Sequence, residues 1–251
     1  MDYYNKFGTP NPLVRHAELL MFRASHPHFS SITQSPAVRS RLPRRIGLVV
    51  GSLRRAAISK RIARALPELF PDDYDVALIP IDNLPLYNFD YDDPSVEDVA
   101  LPDAYAQFRA DVASCDGIVF IPPENNRTIP ACLKNAVDVG SKPNSAVARK
   151  GLPAVVVSHS ISKLGGYSAH KNLLLALSYF DMPMLDQPEV FLSNSPALFD
   201  AAGDALKEET RAFLAKRIDA FVDLVEAHAS RARPPSAMRT PIRTARRFAL
   251  L

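Results

Sequence analysis

The sequence predicts an α/β protein with a doubly wound parallel sheet that has helices on both faces. Short apolar runs rich in β-branched residues, such as IGLVV at 46–50 and PAVVVS at 153–158, are typical of strands buried on both faces. These runs alternate with segments of helical spacing, and right-handed crossovers between successive strands then require a parallel sheet. The pattern extends over roughly 185 residues, which is the size of a single domain.

The predicted strands are five short, mainly apolar runs. They are 46–50, 75–80, 117–121, 153–158 and 189–192. The predicted helices are five segments whose apolar residues recur three and four positions apart. They are 58–66, 105–112, 129–137, 167–180 and 206–228. Pro67 is expected to end the first helix, because proline removes a backbone donor and crowds the preceding turn. Thr128 is expected to cap the third, since its hydroxyl can accept a hydrogen bond from a first-turn N–H.

The charge distribution separates two basic ends from an acidic centre, although the net charge of the chain is only +3. Residues 1–45 carry seven Lys or Arg against two acidic residues, and 231–251 carry six Arg and no acidic residue. An acidic body argues against a nucleic-acid-binding fold. We therefore predict a disordered or arm-like extension at 1–43, a folded domain at 44–228 and a basic disordered tail at 229–251.

Cysteine usage and hydropathy predict a cytoplasmic protein. Cys115 and Cys132 lack the spacing of metal ligands and of a disulfide framework, so we expect them to be packed side chains in a reducing compartment. No apolar run approaches the roughly 20 residues that a membrane-spanning helix requires. An organellar location is the alternative, because 21–45 contains five arginines, several serines and no acidic residue, a composition that resembles a transit peptide.

Three loops follow predicted strand ends, where ligands bind in open α/β sheets. They are 51–59, 122–127 and 158–166. In the first loop Gly51 allows a tight turn, and Ser52 and Ser59 offer hydroxyls. Arg54 adds a planar set of donors, and the helix that follows presents free N–H groups at the positive end of its dipole. These properties suit a phosphate group, although Gly and Ser can also serve only to make the turn.

Four segments together carry a resemblance to a known family. They are GSLRRAAISKRIARAL at 51–66, LPLYN at 84–88, PENNRTIPACLKNAVD at 123–138, and Leu164-Gly165-Gly166 with Gln187-Pro188-Glu189-Val190. Over about 45–225 the chain resembles the NADPH-dependent FMN reductase family, which includes flavodoxin-like quinone, azo-dye and chromate reductases. The resemblance implies a flavodoxin-like sheet in the order 2-1-3-4-5, non-covalently bound FMN, and a homodimer or homotetramer. It also implies hydride transfer from NADPH or NADH through FMN to a quinone or a similar diffusible acceptor, or to free flavin.

The resemblance assigns the site residue by residue. The cofactor-binding set that we predict is Ser52, Arg54 and Ser59 at the phosphate, Pro123, Glu124, Asn125 and Asn126 at the edge of the isoalloxazine ring, and Ser158, Leu164, Gly165 and Gly166 on the other side. Leu86 and Tyr87 match a loop near the flavin and the partner subunit. Since the flavin performs the hydride chemistry in such enzymes, we assign no general acid or base.

The chain departs from the family pattern in each loop. Ala57 replaces a serine and Ser59 an asparagine, Asn125 replaces a tyrosine, and His159 stands among positions where glycines are expected. A non-catalytic flavodoxin-like scaffold with a degenerate FMN site is therefore the alternative function. We expect His159 to be a hydrogen-bonded loop residue rather than a proton donor, and His170 to lie on the surface.

Overall fold

The computed structural model describes residues 43–143, 147–148, 150–202 and 205–229. The N-terminal extension predicted up to residue 43 and the basic tail predicted from 229 fall almost entirely outside the described residues. None of the helices in these ranges has both the length and the hydropathy needed to cross a membrane.

The sheet has five parallel strands, as the sequence predicts. They are β1 (Arg44–Val50), β2 (Tyr74–Leu78), β3 (Gly117–Ile121), β4 (Ala154–His159) and β5 (Val190–Leu192). Their order in the sheet is β2-β1-β3-β4-β5, with β1 next to β3 through the register Ile46 to Gly117. The chain therefore leaves β1 toward one edge and returns to build the other, and the predicted flavodoxin-like order 2-1-3-4-5 is confirmed.

Helices cover both faces of this sheet. They are α1 (Ile58–Ala65), α2 (Asp103–Ala113), α3 (Ala131–Val139), α4 (Tyr167–Leu177) and α5 (Glu208–Ala229). Buried side chains of α2, α3 and α4, such as Phe108, Leu133 and Leu173, form the core on one face. Those of α1 and α5, such as Ile62 and Phe221, form the core on the other. Burying each large apolar side chain stabilises the fold by roughly 1.5 to 3 kcal/mol, so both layers are held in place by packing.

The ends of two helices differ in how well the sequence predicts them. A single-turn 3-10 helix begins at Pro67 directly after α1, as the proline predicts. The predicted cap of α3 is wrong, because that helix begins at Ala131 with Pro130 at the N-cap and no side-chain cap bond. The N–H of Thr128 donates instead to the carbonyl of Asn125 across 3.0 Å, so Thr128 closes a separate turn.

Both predicted interior cysteines are free thiols, but they differ in depth. Cys115 is buried, and burial raises the pKa of its thiol to about 12, so it is a packing residue rather than a nucleophile. Cys132 is half-buried on α3, and its Sγ lies 3.7 Å from the carbonyl oxygen of Gly51. The sulfur therefore packs under the loop that follows β1.

Candidate functional site

The three loops predicted from the sequence meet at the carboxyl edge of β1, β3 and β4. Gly51 passes so close to the second loop that a Cβ there would lie 3.0 Å from the Cα of Pro122 and 3.2 Å from Pro123. Pro123 forms a parallel bridge with His159 at the end of β4. The loops after β1, β3 and β4 therefore form one continuous surface at the point where the strand order reverses, which is where doubly wound sheets bind ligands.

The first loop presents backbone donors at the N-terminus of α1. Ala57 is the N-cap, no side chain caps the helix, and its first turn contains no acidic residue. No acceptor is found among the described residues for the N–H groups of Ser52, Arg55 and Ala56. Such groups, together with the positive end of the helix dipole, favour an anion.

Two arginines increase the positive charge of this loop. Arg54 and Arg55 are both exposed, and neither forms an ion pair with an acidic residue within the part of the chain that the structure describes. The N–H of Arg54 donates to the hydroxyl oxygen of Ser52 across 3.4 Å, which keeps the half-buried Ser52 beside the turn. The loop therefore combines backbone donors, one hydroxyl and two guanidinium groups, a set that suits phosphate.

The second loop is a tight two-residue turn that projects from the end of β3. Asn125 and Thr128 exchange two backbone hydrogen bonds, Asn125 N–H to Thr128 across 2.9 Å and the reverse across 3.0 Å. The two central residues have positive φ, 49° at Asn126 and 66° at Arg127. Asparagine tolerates this region, whereas arginine there costs of order 1 kcal/mol, so the surrounding contacts must hold the turn in shape.

Glu124 is the residue that ties this turn to the third loop. Its Oε2 accepts a hydrogen bond from the N–H of Ser168, in the first turn of α4, across 3.0 Å. Its Oε1 lies 3.7 Å from the guanidinium of Arg127, and its side chain is only 9% exposed. Glu124 thus caps α4 with a carboxylate, where the helix dipole favours negative charge. This arrangement gives Glu124 a structural role without requiring it to exchange a proton.

The third loop reaches α4 through two left-handed glycines. Gly165 has φ of 62° and Gly166 has φ of 82°. A Cβ at Gly166 would lie 2.8 Å from the carbonyl oxygen of His159, and one at Gly165 would lie 2.7 Å from the backbone of Phe191. Only glycine satisfies both the φ angle and the close approach. Leu164, just before them, is half exposed and presents an apolar side chain at the surface.

A buried hydrogen-bonded chain lies beneath the three loops. The hydroxyl of Ser59 is 2.7 Å from Nε2 of His159, and Nδ1 of His159 is 3.3 Å from the hydroxyl of Ser195. All three residues are buried, and desolvation lowers the pKa of His159 to about 4. His159 is therefore a neutral imidazole near pH 7, in agreement with the prediction of a hydrogen-bonded rather than a proton-donating residue.

The structure separates the predicted cofactor-binding residues into two groups. The members at the surface or half-buried there are Ser52, Arg54, Pro123, Glu124, Asn125, Asn126 and Leu164. The buried members are Gly165 and Gly166, which form the turn into α4, and Ser59 and Ser158, whose hydroxyls are not at the surface. The hydroxyl of Ser59 bonds to His159, and that of Ser158 donates to the carbonyl oxygens of Gly165 and Val190, both across 3.0 Å. Both serines shape the loops from below.

Sequence reasoning missed three contributors to this site and misplaced a fourth residue. Ser168 contributes a backbone N–H, Ser195 lies far along the chain, and His159, expected only to be hydrogen-bonded, contacts all three loops. No local motif marks any of these roles. His170 was expected at the surface but is 3% exposed, with its ring 4.8 Å from that of Phe191. Desolvation lowers the pKa of His170 to about 4 as well.

Comparison with known proteins identifies the family. The sequence pattern of the NADPH-dependent FMN reductase family matches residues 44–197, more than half of the chain. The chain belongs to the NADPH-dependent FMN reductase family. That stretch includes all three loops of the candidate site.

Named relatives match over about 70% of the chain. A quinone reductase from Pseudomonas putida is 40% identical over 181 residues, which are 72% of this chain and 94% of that protein. A 2-hydroxy-1,4-benzoquinone reductase from a Burkholderia species is 33% identical, over 70% of this chain and 93% of that protein. Among solved structures, FerB, a flavoenzyme NAD(P)H:(acceptor) oxidoreductase from Paracoccus denitrificans, aligns with a TM-score of 0.66 and 29% identity, over 74% of this chain and 98% of FerB.

The residues present fit the cofactor after which the family is named. FMN carries a terminal phosphate and a planar ring, and the first loop supplies N–H donors beside Arg54 and Arg55 that have no acceptor within the ranges that the structure describes. The second loop lies against the first at Gly51, and Pro123 bridges it to His159 at the start of the third. Substitution of Ala57 for serine removes one hydroxyl from the loop but none of these backbone donors, so the anion-binding character of the loop is retained.

Proposed function

We propose that this protein is an FMN-dependent oxidoreductase that takes hydride from NADPH or NADH and passes it to a quinone or a similar diffusible acceptor. The observation that carries the proposal is the first loop, at the switch point of a 2-1-3-4-5 sheet. It leads into the uncapped N-terminus of α1, exposes Arg54 and Arg55, and has N–H groups at Ser52, Arg55 and Ala56 that find no acceptor in the described part of the chain. The relatives at 40% and 33% identity are both named as quinone reductases, which supports a quinone-like acceptor.

In this proposal the first loop binds the FMN phosphate. Ser52 would donate its hydroxyl, Arg54 would supply charge-assisted hydrogen bonds, and the N–H groups of Ser52, Arg55 and Ala56 would be available to the phosphate oxygens. Because the helix dipole and backbone donors do not depend on side-chain identity, they compensate for the serine that Ala57 replaces. Ser59 takes part indirectly, from beneath the helix.

The second and third loops hold the ring. We assign Pro123, Asn125 and Asn126 to one edge of the isoalloxazine, and Leu164, Gly165 and Gly166 to the other side, with Ser158 supporting the glycine turn from below. The positive φ of Asn126 turns the backbone sharply, so that amide and carbonyl groups rather than a bulky side chain face the ring edge. Asn125 supplies polar contacts at the position where the family pattern has tyrosine.

When bound, FMN supplies the hydride chemistry, and the protein supplies binding, orientation and an electrostatic environment. The exposed Asn125 side chain leaves room for nicotinamide and acceptor to approach one after the other. Glu124 and His159 do not move protons in this mechanism, because each is committed to protein hydrogen bonds. Their contribution is to fix the three loops relative to one another.

We further propose that the protein is a homodimer or homotetramer. Several large apolar side chains are exposed on the described surface, and association of two copies would bury them. They include Leu86 at 80%, Phe89 at 49%, Leu175 at 75% and Tyr179 at 78% exposure. Light scattering coupled to gel filtration tests this: a molecular mass equal to that of one chain at micromolar concentration would contradict it.

For location we propose the cytoplasm, with an organelle as the alternative. Free thiols at Cys115 and Cys132 support a reducing compartment. Expression of the full chain, and of the chain without residues 1–42, each fused to a fluorescent protein, distinguishes the two. A diffuse signal from both supports the cytoplasm, and an organellar signal that requires residues 1–42 supports the alternative.

The proposed activity is tested with purified full-length protein. The protein should be yellow or become so with FMN, and it should oxidise NADPH or NADH only when a quinone is added. A colourless protein that ignores added FMN would contradict the proposal and favour a non-catalytic scaffold. FMN binding without turnover would point instead to a flavin-binding role.

A further inference from the structure

The buried, hydrogen-bonded series Ser59–His159–Ser195 connects parts of the molecule that are far apart in sequence. Ser59 lies in the first turn of α1, His159 ends β4, and Ser195 begins the 3-10 segment Ser195–Leu198. The side chains are linked by contacts of 2.7 Å and 3.3 Å through the two imidazole nitrogens of His159. Exposed surface is 0% for both serines and 4% for the histidine. The chain is therefore sealed from solvent.

The backbone of His159 also contacts the second and third loops. Its N–H donates to the carbonyl of Pro122 across 3.1 Å, and its carbonyl accepts from the N–H of Glu124 across 3.1 Å. Gly166 passes directly over the same carbonyl, because a Cβ there would lie 2.8 Å from it. His159 thus touches the second and third loops through its main chain and the first through its ring.

Helix α1 needs such a support. It has eight residues, and no side chain caps its N-terminus. Helices this short are marginal by themselves, so their direction is set by tertiary contacts. Ile62 and Ala63 pack the second turn of α1 into the core, whereas Ser59 makes the buried polar contact in its first turn. The direction in which the N–H groups at the start of α1 point therefore depends on the contact of Ser59 with His159.

We propose that His159 is a positioning residue for the cofactor phosphate, acting through Ser59 to fix the N-terminus of α1. The inference rests on the proposed FMN-binding function and goes beyond it, because it assigns a role to two residues that cannot touch the cofactor. A neutral imidazole suits the role, since one nitrogen donates and the other accepts, and both serine hydroxyls can adapt. The low pKa of His159 supports the neutral form at physiological pH.

If His159 has this role, breaking its contact with Ser59 should weaken binding of the cofactor phosphate and leave binding of the isoalloxazine ring unchanged. FMN and riboflavin share the isoalloxazine, and only FMN has the phosphate. Replacing Ser59 with Ala removes the contact and leaves α1 free to tilt. Loss of one hydrogen bond in a preorganised site corresponds to about a five- to tenfold loss of affinity. We expect this loss for FMN and none for riboflavin.

The test measures both dissociation constants on flavin-free full-length protein, by quenching of flavin fluorescence. The variants are Ser59→Ala, His159→Asn and the double variant. The control is His170→Asn, because His170 is another buried histidine with a lowered pKa but has no part in the hydrogen-bonded series Ser59–His159–Ser195. We expect each single variant to lower the ratio of FMN to riboflavin affinity five- to tenfold. The double variant should lower it no further, because both changes break the same contact. The control should leave the ratio unchanged.

Three outcomes would overturn the inference. They are an unchanged ratio in Ser59→Ala, an equal weakening of both ligands, and additive effects in the double variant. Circular dichroism identifies a variant that fails to fold, and Ser59→Ala, the smaller change, then decides alone. Wild-type protein that binds riboflavin and FMN equally, or neither, contradicts the proposed function itself. Wild-type preference for FMN that survives in the variants contradicts only the role of His159.

Discussion

Removing the carboxylate of Glu124 should loosen the connection between the second loop and α4. Glu124→Ala eliminates the carboxylate that accepts a hydrogen bond from the N–H of Ser168 across 3.0 Å. Glu124→Gln keeps an acceptor oxygen at nearly the same place but removes the charge. The pair of variants therefore separates the hydrogen bond from its electrostatic contribution.

The magnitude follows from the surroundings of the carboxylate. A hydrogen bond to a charged group contributes roughly 1.5 to 3 kcal/mol, and a negative charge at a helix N-terminus about 0.3 to 1 kcal/mol. The contact with Arg127 adds less than about 1 kcal/mol, because that guanidinium is 72% exposed and screened by solvent. We expect Glu124→Ala to lower the free energy of unfolding by about 2 to 3 kcal/mol, and Glu124→Gln by about 1 kcal/mol.

Urea unfolding monitored by circular dichroism measures both values. The slope against urea should stay constant, so that a shift of the midpoint reports stability alone. Glu97→Gln is the matched control, since Glu97 is exposed and its replacement should change stability by less than about 0.5 kcal/mol. FMN affinity should fall in the same order, Ala more than Gln. Equal stability of Glu124→Ala and wild type would refute the reasoning, and so would Glu124→Gln being as destabilised as Glu124→Ala.

Three further predictions test the framework around the site. Asp92→Ala should lower the free energy of unfolding by about 3 to 5 kcal/mol, because the buried guanidinium of Arg109 loses the carboxylate to which it donates across 2.6 and 2.7 Å and keeps only the carbonyl of Val139. A loss below about 1 kcal/mol in urea unfolding would contradict this. Gly166→Ala should lower the stability of the fold more than Gly151→Ala, since both glycines have positive φ but only a Cβ at Gly166 would meet the carbonyl of His159. Thermal melts that rank the two variants in the opposite order would show that this clash is absent. The folded state holds the pKa of His159 near 4, below the unfolded value near 6.5. The contribution of this residue to the stability of the wild type should therefore be complete above pH 6.5 and should fall by on the order of 3 kcal/mol as the pH drops toward 4. Chemical unfolding across this pH range should show a shallower fall for His159→Asn, and parallel curves for the two proteins would contradict the assignment.

The sheet could be predicted because its strands carry their own signal. Runs such as GIVFI at 117–121 are wholly apolar, and this strand has the predicted bounds in the structure. Alternation with helical segments then leaves only a parallel, doubly wound arrangement. The order 2-1-3-4-5 came from the resemblance to a family, since periodicity says nothing about which strands are neighbours.

The predictions that were wrong concern residues whose position is decided by a tertiary contact rather than by the local sequence pattern. Thr128 is a good capping residue by type, but the tight turn at 125–128 uses its backbone and α3 starts later. His170 is polar, yet it packs against Phe191, 21 positions along the chain. The contact of the Ser59 hydroxyl with His159, 100 positions away, was likewise not predicted. No pattern within one segment reveals such long-range partners.

An anaerobic spectral titration of the purified protein loaded with FMN tests the central claim most directly. We expect NADPH or NADH to bleach the visible absorbance of the bound flavin and a quinone to restore it, with the protein unchanged at the end of the cycle. Absorbance that stays constant after addition of either nicotinamide, or a protein that retains no FMN on gel filtration, would contradict it.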